Sequence, residues 1–532
     1  MASTFHSIET AKRSLFTQTA ALNTTGHNVA NANTAGYSRQ VVNMKASIPM
    51  EAYGMMRSNV PGQLGTGVEF DSIMRIRDVF LDAQFRGENS GNGSWTVQYE
   101  TLSKIEGIMN EPSDTGIRQV LDKFWKSWSD LSKDPENATA RKIVLETGAA
   151  MTDAINYMDR QLNNLTADLT TSIGMKETEA ISYLNSIADL NQSIARLEGL
   201  GDDANDLRDQ RDLITDKLSK IINITVTDGD TGYNIMMGGT SLLQGNAVQV
   251  QPSPAGNLDA SFLIQGFASN NLQGGEAFGL IHSRDSYVVD SKKQLNDLTN
   301  TIMNGTIKDV AIPAGSMLPE GTVVNKDTTV TVNGTDQLVI AGNPLPANST
   351  LKEATTIDVN GFNGLHQLGF TLDGTTDRGL PFFVGTSAGT IAINPLLAND
   401  SNLLATSLRT EATGTGQAVI KGNNTLALLL SSLNETKFTA GDGTQSTVNS
   451  QYGAMVGQLG VKAEEAKRQA ANSDVLVTQV EAQRQSVSGV SLDEELSNMM
   501  KFQHAYASAA RFMTTFDQLL DKLINSTGVV GR

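Results

Sequence analysis

Apolar side chains recur at alternating intervals of three and four residues in the proline-free stretch 136–251. This spacing gathers them on one face and predicts a long helix. The members of the pattern are Met151, Ile155, Met158, Leu162, Leu165, Leu169, Ile187, Leu190, Ile194 and Leu197. We interpret the helix as part of an ordinary bundle, with a true coiled coil as the alternative. Gly199–Asp203 ends the pattern, and a second helix is predicted from about Asp203 to Ile222.

A second apolar stripe covers most of the last forty residues. Ser491 with Glu494 three residues later forms a capping box, which marks the start of a helix. The apolar and aromatic members of the stripe are Leu492, Met499, Phe502, Tyr506, Met513, Phe516, Leu520 and Leu523. Such a stripe needs a covering surface. Either it docks onto the chain's own core, or it pairs with a helix in an assembly, which is the interpretation we adopt.

The N-terminal end carries a weaker seam of the same kind, formed by Phe5, Ile8, Leu15, Leu22 and Val29. An isolated helix with so few apolar contacts is marginal in water. The two terminal helices look complementary, so the chain is predicted to bring both ends together, with the middle of the sequence at the far end. After this seam, Asn28–Gln40 is rich in Asn and Gly, which end helices, and predicts an extended exit.

The middle of the chain alternates helical spacing with short β-branched runs and turn residues. Strands are expected after Asn223, including Phe262–Ile264, and again in the segment 306–358. The fold class is therefore α+β, multi-domain, with a long helical bundle or coiled coil built from both termini. The predicted domains are a terminal coiled-coil assembly domain (1–60 and 489–532), a central helical domain (61–222, 283–305 and 359–488, with a β-hairpin near 381–394), a small β domain (223–282) and an inserted β subdomain (306–358).

Composition narrows the function. The 532 residues carry a net charge of −17, which disfavours nucleic acid as a partner. The absence of cysteine excludes disulfides, thiolate metal sites and cysteine nucleophiles. No apolar run approaches the ~18 residues that a membrane span needs, so no membrane partner is expected. Lys12-Arg13 is not followed by an apolar core, so no cleavable signal peptide is expected.

The candidate chemical motifs are weak. Asp228–Gly232 and Asp373–Asp377 faintly suggest calcium loops, but neither has the full ligand pattern, so both are predicted to be turns. Glu494 and Glu495 point about 100° apart on a helix and cannot face one substrate; they are expected to serve the helix cap and dipole. We therefore predict no catalytic residue, no metal site and no cofactor.

Two segments at the ends of the chain carry a family resemblance. Ala30–Arg39, which contains Asn31, Asn33, Gly36 and Tyr37, resembles the N-terminal signature of the bacterial flagellar rod, hook and hook-associated proteins. Ser488–Glu495, followed by Phe502–Tyr506, resembles the closing helix of the same proteins. Together they point to the first hook-associated protein family, the hook–filament junction proteins. The motifs cover roughly sixty residues, and the resemblance does not extend to 306–358.

The resemblance implies a structural subunit of the flagellum and assigns assembly roles to Asn31, Asn33, Gly36, Tyr37 and the two seams. It implies self-assembly into a ring or tube layer, with the hook protein and the adjacent hook-associated protein as neighbours. It also implies export by the flagellar type III route to an extracellular location, with a cytoplasmic chaperone on the C-terminal helix beforehand. The terminal helices would be disordered in the free monomer and fold on assembly.

The predicted function is thus a structural junction between hook and filament. A rod or hook protein from the same family is the first alternative. A secreted cell-wall enzyme that uses the outer β units is the second, and Glu320, Asp327 and Asp336 in the segment 306–358 show no recognisable catalytic arrangement.

Overall fold

The structure is a computed structural model that describes residues 5–49, 65–109, 116–254, 257–372, 376–413, 416–439 and 443–525. Parts of the expected assembly domain, 50–60 and 526–532, therefore lie outside the described residues, as do residues 373–375 of the Asp373–Asp377 motif. The α-helices among the described residues are α1 (His6–Ala30), α2 (Val79–Met109), α3 (Ile117–Leu131), α4 (Ala138–Glu198), α5 (Asn205–Ile221), α6 (Phe262–Ala268), α7 (Gly275–His282), α8 (Val289–Asn304), α9 (Gly361–Leu368), α10 (Pro395–Asn399), α11 (Thr425–Ser432), α12 (Val448–Ser488) and α13 (Leu492–Asn525). A π-helical segment, Ser283–Val288, links α7 to α8.

The strands are short and form several small antiparallel sheets. They are β1 (Gln40–Ala46), β2 (Val68–Arg75), β3 (Thr225–Gly229), β4 (Gly232–Met237), β5 (Thr240–Gln244), β6 (Ala247–Val248), β7 (Thr306–Ile312), β8 (Thr328–Val332), β9 (Thr335–Val339), β10 (Ser349–Leu351), β11 (Thr355–Asn360), β12 (Phe383–Val384), β13 (Ala392–Ile393), β14 (Thr410–Thr413), β15 (Gly416–Val419), β16 (Phe438–Thr439) and β17 (Gln445–Ser446). The two largest sheets have the orders β3-β4-β5-β6 and β11-β7-β16-β17. A three-stranded sheet has the order β10-β8-β9, and β1–β2, β12–β13 and β14–β15 are hairpins.

The chain divides into two compact units. The first unit contains Met1–Thr96, Ser172–Gly279 and Arg468–Arg532, and the second contains Val97–Thr171 and Leu280–Lys467. The helices α2, α4, α7 and α12 contribute residues to both. The predicted domain boundaries, which separate four domains, remain a prediction.

The second unit has an aromatic interior. Six rings from α3, α9 and the β12 hairpin contact one another with centroids 4.7–6.0 Å apart. This aromatic cluster consists of Phe124, Trp125, Trp128, Phe362, Phe382 and Phe383. His366 lies against it, donates from Nδ1 to the carbonyl of Leu380 and accepts at Nε2 from the amide of Ala405. Packing of large apolar rings therefore organises this unit.

The predicted fold class, α+β with several domains, is confirmed, since 59% of the chain is helical, with long terminal helices and several small sheets in the middle. The stripe from Met151 to Leu169 is buried along α4, the helix break falls at 199–204, and β12 and β13 form the predicted hairpin. The strand expected at Phe262–Ile264 is wrong: these residues begin α6. The Ser261 side chain caps that helix by accepting from the amide of Leu263, and three apolar residues do not distinguish a strand from a helix.

Asp228–Gly232, which the sequence predicts to be a turn, forms the turn of the antiparallel β3–β4 hairpin. Among the described residues, no helix combines the length and apolar character that crossing a membrane requires.

Candidate assembly site at the root of the terminal helices

The two terminal helices pack against each other within one chain. Asn28, near the end of α1, bonds to Glu495 at the start of α13. Ala21 and Thr24, further back in α1, line the same small cavity as Phe502, further along α13. Moving backward in α1 thus means moving forward in α13, so the helices are antiparallel. The predicted meeting of the two ends is present in the fold of the single chain.

The face of α13 that is turned inward carries most of the predicted C-terminal stripe. Its half-buried positions include Met499, Phe502, Met513, Phe516 and Leu520. The other predicted members, Leu492, Tyr506 and Leu523, are 49%, 42% and 58% exposed. Heptad spacing places Tyr506 and Leu523 on the same face as the half-buried members, with Leu492 at its edge, so this face is only partly covered in the single chain.

The face of α1 that is buried differs from the predicted seam. Phe5 is exposed, and Ile8, Leu15, Leu22 and Val29 are half-buried. The fully buried positions are small or polar side chains: Ala11, Thr17, Ala21, Thr24, Thr25 and Asn28. Small side chains let two helix backbones approach closely, whereas a search for large apolar residues overlooks them.

Asn28 joins the end of α1 to the segment that follows it. Its amide nitrogen donates to the Gln40 carbonyl (2.9 Å) and to Glu495 Oε2 (3.1 Å). Its amide oxygen accepts from the Gln40 backbone N–H (3.0 Å) and the Tyr37 hydroxyl (2.8 Å). Every polar group of this buried side chain is therefore used, as a buried amide requires.

Arg39 joins the same segment to the last two helices. Its backbone N–H donates to the Ser488 carbonyl at the end of α12 (2.8 Å). Its guanidinium donates from Nε to Glu495 Oε1 (2.7 Å) and from Nη1 to Glu494 Oε2 (2.8 Å). Glu495 is only 2% exposed, and both of its carboxylate oxygens are bonded. The two segments that carry the family resemblance thus meet in one cluster of charge-assisted hydrogen bonds.

The turn between α1 and β1 is fixed against α5. Gly36 has a φ of +81°, and a Cβ there would lie 3.0 Å from Leu213 Cβ, so both conformation and space favour glycine. Ser38, two residues further on, donates its backbone N–H to Asp209 Oδ2 of α5 (2.9 Å). Tyr37 is half-buried here, and burial together with Asp206 and Asp209 raises the pKa of its hydroxyl, which stays protonated. Of the other predicted residues, Asn31 is half-buried and caps α1 through the His27 carbonyl, and Asn33 is exposed.

Behind this turn lies a buried ion-pair network of four arginines and four aspartates from β2, α2, α5, α12 and the residues between β2 and α2. Its members are Arg75, Arg77, Asp82, Arg86, Asp209, Asp212, Asp216 and Arg484. The shortest pairs join Arg75 to Asp209, Arg77 to Asp82 and Arg86 to Asp216, each at 2.7 Å. The formal charges balance, which a buried set of this size requires.

Asp212 is the centre of this network. Its carboxylate lies within 3.5 Å of guanidinium nitrogens of Arg75, Arg77 and Arg86 and accepts the Tyr233 hydroxyl. Burial alone would raise the pKa of Asp212, but the three arginines outweigh it and lower the pKa. Burial also raises the pKa of neighbouring Asp209 despite its contacts with Ser38 and Arg75. The ionised form of Asp212 is therefore the one that holds the network together.

Reasoning from the sequence assigned Glu494 and Glu495 only to the helix cap and dipole. In the structure the Glu494 backbone N–H does face the Ser491 hydroxyl (3.5 Å), but both carboxylates also bind Arg39. Asn28, Arg39 and the ion-pair network were not predicted as site residues. The only local signal was that Arg39 lies in the motif that carries the resemblance. Among the described residues, no group of three or more His, Cys, Asp or Glu side chains is arranged to hold a metal ion.

Comparison with known proteins decides the family. Flagellar hook-associated protein 1 of Bacillus subtilis (strain 168) is 34% identical to this chain over 540 residues, with 100% of both sequences covered. The chain belongs to the flagellar hook-associated protein 1 family, FlgK. The proteins of the same name from Escherichia coli (strain K12) and Salmonella typhimurium are 27% and 26% identical, over 97% and 95% of this chain and 99% and 97% of their own lengths.

Two family models and one solved structure agree with the FlgK assignment. The model for the FlgK helical domain matches residues 102–306, and the model for the C-terminal region of the FlgEFG basal body rod proteins matches 480–526. The structure of the flagellar hook junction protein FlgK from Burkholderia pseudomallei covers 76% of this chain and 100% of its own, with a TM-score of 0.51 and 15% identity. This likeness shows a shared fold. The family prediction from the two terminal motifs is confirmed.

Proposed function

We propose that this FlgK-family chain is a structural subunit of the hook–filament junction and that it joins its neighbours through the terminal helix pair. The observation that carries the proposal is the second apolar side of α13. One side packs on α1, whereas Leu492, Leu496 and Met500, spaced by four residues on the same side of the helix, are 49%, 51% and 57% exposed. We call these three residues the outer stripe. Apolar residues that repeat along an exposed helix face suit contact with another helix.

The neighbours that we propose are further copies in a ring or tube layer, the hook protein on one side and the adjacent hook-associated protein on the other. Head-to-tail contacts between identical copies close into rings or continue as tubes. Phe5 and Tyr506, which are exposed in the single chain, are proposed members of the same contacts. The proposed role is mechanical, with no reaction assigned to any residue, in keeping with a structural flagellar family.

The complementation of a strain that lacks this gene tests the proposal. The double variant Leu496→Glu with Met500→Glu places two charges on the outer stripe, where burial against a neighbour would be costly. We expect hooks that carry no filaments in electron micrographs. The matched control, Ser508→Glu with Thr515→Glu, changes two exposed polar positions on another side of the same helix and should restore filaments.

Purified double variant should keep the helical circular dichroism of the parent, which separates failed assembly from failed folding. Normal filaments with the double variant would contradict the proposed interface. Loss of the hooks themselves in the deletion strain would instead favour a hook or rod role.

The route to the flagellum is part of the same proposal. We propose export by the flagellar type III route to the cell exterior without cleavage, after a cytoplasmic chaperone has covered α13. A covered stripe would keep apolar side chains such as Leu496 and Met500 out of water before assembly. Mass spectrometry of the cytoplasmic and the secreted chain tests this: equal masses are expected, and loss of an N-terminal segment on secretion would contradict uncleaved export.

A further inference from the structure

The last two helices meet at a tight elbow, which we define as Gly489–Ser491. The elbow leaves little room, because a Cβ on Gly489 would lie 2.4 Å from the Gln485 carbonyl oxygen in the last turns of α12. Only these three residues connect α12, which has 41 residues, to α13, which has 34. A small change of backbone angle at the elbow would move the far end of α13 by a large distance.

One residue from the other end of the chain touches both sides of the elbow. The Arg39 backbone N–H is bonded to Ser488, the last residue of α12, and its guanidinium is bonded to Glu494 and Glu495 in the first turn of α13. The Glu495 carboxylate cannot simply follow a moving guanidinium, because its second oxygen is held by Asn28. Arg39 thus connects α12, α13 and, through Glu495, the end of α1.

We propose that Arg39 is a positioning residue that sets the angle between α12 and α13 and thereby the direction in which the paired terminal helices leave the elbow. The assembly consequence rests on the proposed function above, since this direction would decide how the outer stripe meets its neighbours. A planar guanidinium with two carboxylate partners resists both rotation and tilt, whereas an ammonium group acts as a point charge. Burial of Glu495 strengthens the contact, because little water competes for it.

A second arginine in the same unit provides the matched control. Arg208 makes a two-bonded pair with Glu198 (2.6 and 2.7 Å) at the corner between α4 and α5. Like the Arg39 contact it joins a guanidinium to carboxylate oxygens through two nitrogens, but it uses a single carboxylate, is about one-third exposed and does not touch the elbow. A general loss of stability after removal of an ion pair should therefore appear in both variants, and a change of elbow angle only in the Arg39 variant.

The chain has no cysteine, so two introduced cysteines can carry spin labels without background. Gln479→Cys on α12 and Gln503→Cys on α13 are exposed positions on the two sides of the elbow. Electron–electron double resonance on the purified full chain measures the distance distribution between the labels. We expect a narrow distribution in the parent and a wider one with a shifted mean in Arg39→Gln. Arg39→Lys should fall between them, and Arg208→Gln should match the parent.

A distribution in Arg39→Gln that superimposes on the parent would overturn the proposal. If circular dichroism shows that Arg39→Gln has lost helix, Arg39→Lys decides: a wider distribution supports the proposal and an unchanged one overturns it. The Leu496→Glu with Met500→Glu variant should keep the parent distribution even where it fails to assemble. Failure of the elbow proposal is thereby distinguishable from failure of the proposed function.

Discussion

The first unit buries four arginines and four aspartates, and the second unit buries six aromatic rings. The ion-pair network depends on direction, because each guanidinium must meet its carboxylate at hydrogen-bond distance. The aromatic cluster depends mainly on shape and area, because apolar burial is not directional. The same chain therefore uses an interior of oriented ion pairs where β2, α2, α5 and α12 meet and an apolar interior around α3 and α9.

Buried ion pairs and packed aromatic rings differ in what they contribute to a fold. A buried ion pair contributes little net stability compared with apolar packing, but removal of one partner is costly. We therefore interpret the ion-pair network as a device that fixes geometry at the root of the terminal helices. The aromatic cluster supplies stability to a unit whose shape can tolerate small changes of side chain.

The largest effect should follow from Asp212→Asn. The substitution keeps the shape but leaves the guanidiniums of Arg75, Arg77 and Arg86 without their shared carboxylate, which should cost about 3–5 kcal/mol. Hydrogen exchange of peptides from α5 measures the loss within the first unit. The control Asp71→Asn removes a solvent-exposed partner of Lys45 and should cost far less, because water and salt screen such a pair. Equal losses in the two variants would contradict the role given to the network.

The stability of the second unit should depend on pH between pH 7 and pH 5. Burial lowers the pKa of His366 to about 4, below the ordinary value of 6.5, since the neutral ring accepts from Ala405 and the charged ring cannot. The unfolded chain then binds the proton first, so stability is full above pH 6.5 and falls as the pH drops toward 4. Between pH 7 and pH 5 the second unit should lose about 2 kcal/mol.

Tryptophan fluorescence during denaturant unfolding follows that loss, because Trp125 and Trp128 lie in the aromatic cluster. In the first unit the pKa of Asp212 is lowered. Its contribution to stability is therefore complete above about pH 4, the ordinary pKa of aspartate, and is lost only below it. His366→Gln should remove most of the dependence between pH 7 and pH 5, with a remainder from His282, whose pKa is also lowered by burial. His504→Gln, on the exposed part of α13, should leave the dependence unchanged. A dependence as large in His366→Gln as in the parent would refute this assignment.

The smallest effect should follow from Leu365→Met in the second unit. Leu365 is fully buried on α9 between residues of the apolar core, and methionine has nearly the same volume. A volume-conserving change of this kind should cost less than about 1.5 kcal/mol. Denaturant unfolding followed by fluorescence measures it. A loss as large as that of Asp212→Asn would remove the contrast between the two interiors.

The parts of the fold that follow from local pattern were predictable. The apolar stripe of α4 and the capping box of α13 are both read from residues within a few positions of one another. The assembly site is different, because its contacts join distant residues. Arg39 and Glu495 are 456 positions apart, and no periodicity within one sequence relates them.

Two differences between the predicted seams and the packed helix faces have physical causes. The buried side of α1 consists of Ala11, Thr17, Thr24 and similar small residues, which a search for large apolar side chains passes over. The predicted C-terminal stripe includes exposed positions such as Leu523, because α13, with 34 residues, is longer than α1, with 25, and extends past it.

Hydrogen exchange of the purified, unassembled chain tests the central claim most directly: that the cluster around Asn28, Arg39 and Glu495 joins the two ends of one chain. The resemblance implies terminal helices that are disordered in the free monomer; from the contacts of Asn28 and Arg39 with Glu495 we predict instead slow exchange in peptides that cover 24–30 and 495–502, and faster exchange toward Leu523, where α13 is exposed. The distal turns would then become protected only on assembly. Exchange at the root as fast as at the distal end would show that the terminal helices do not pair before assembly and would contradict the account.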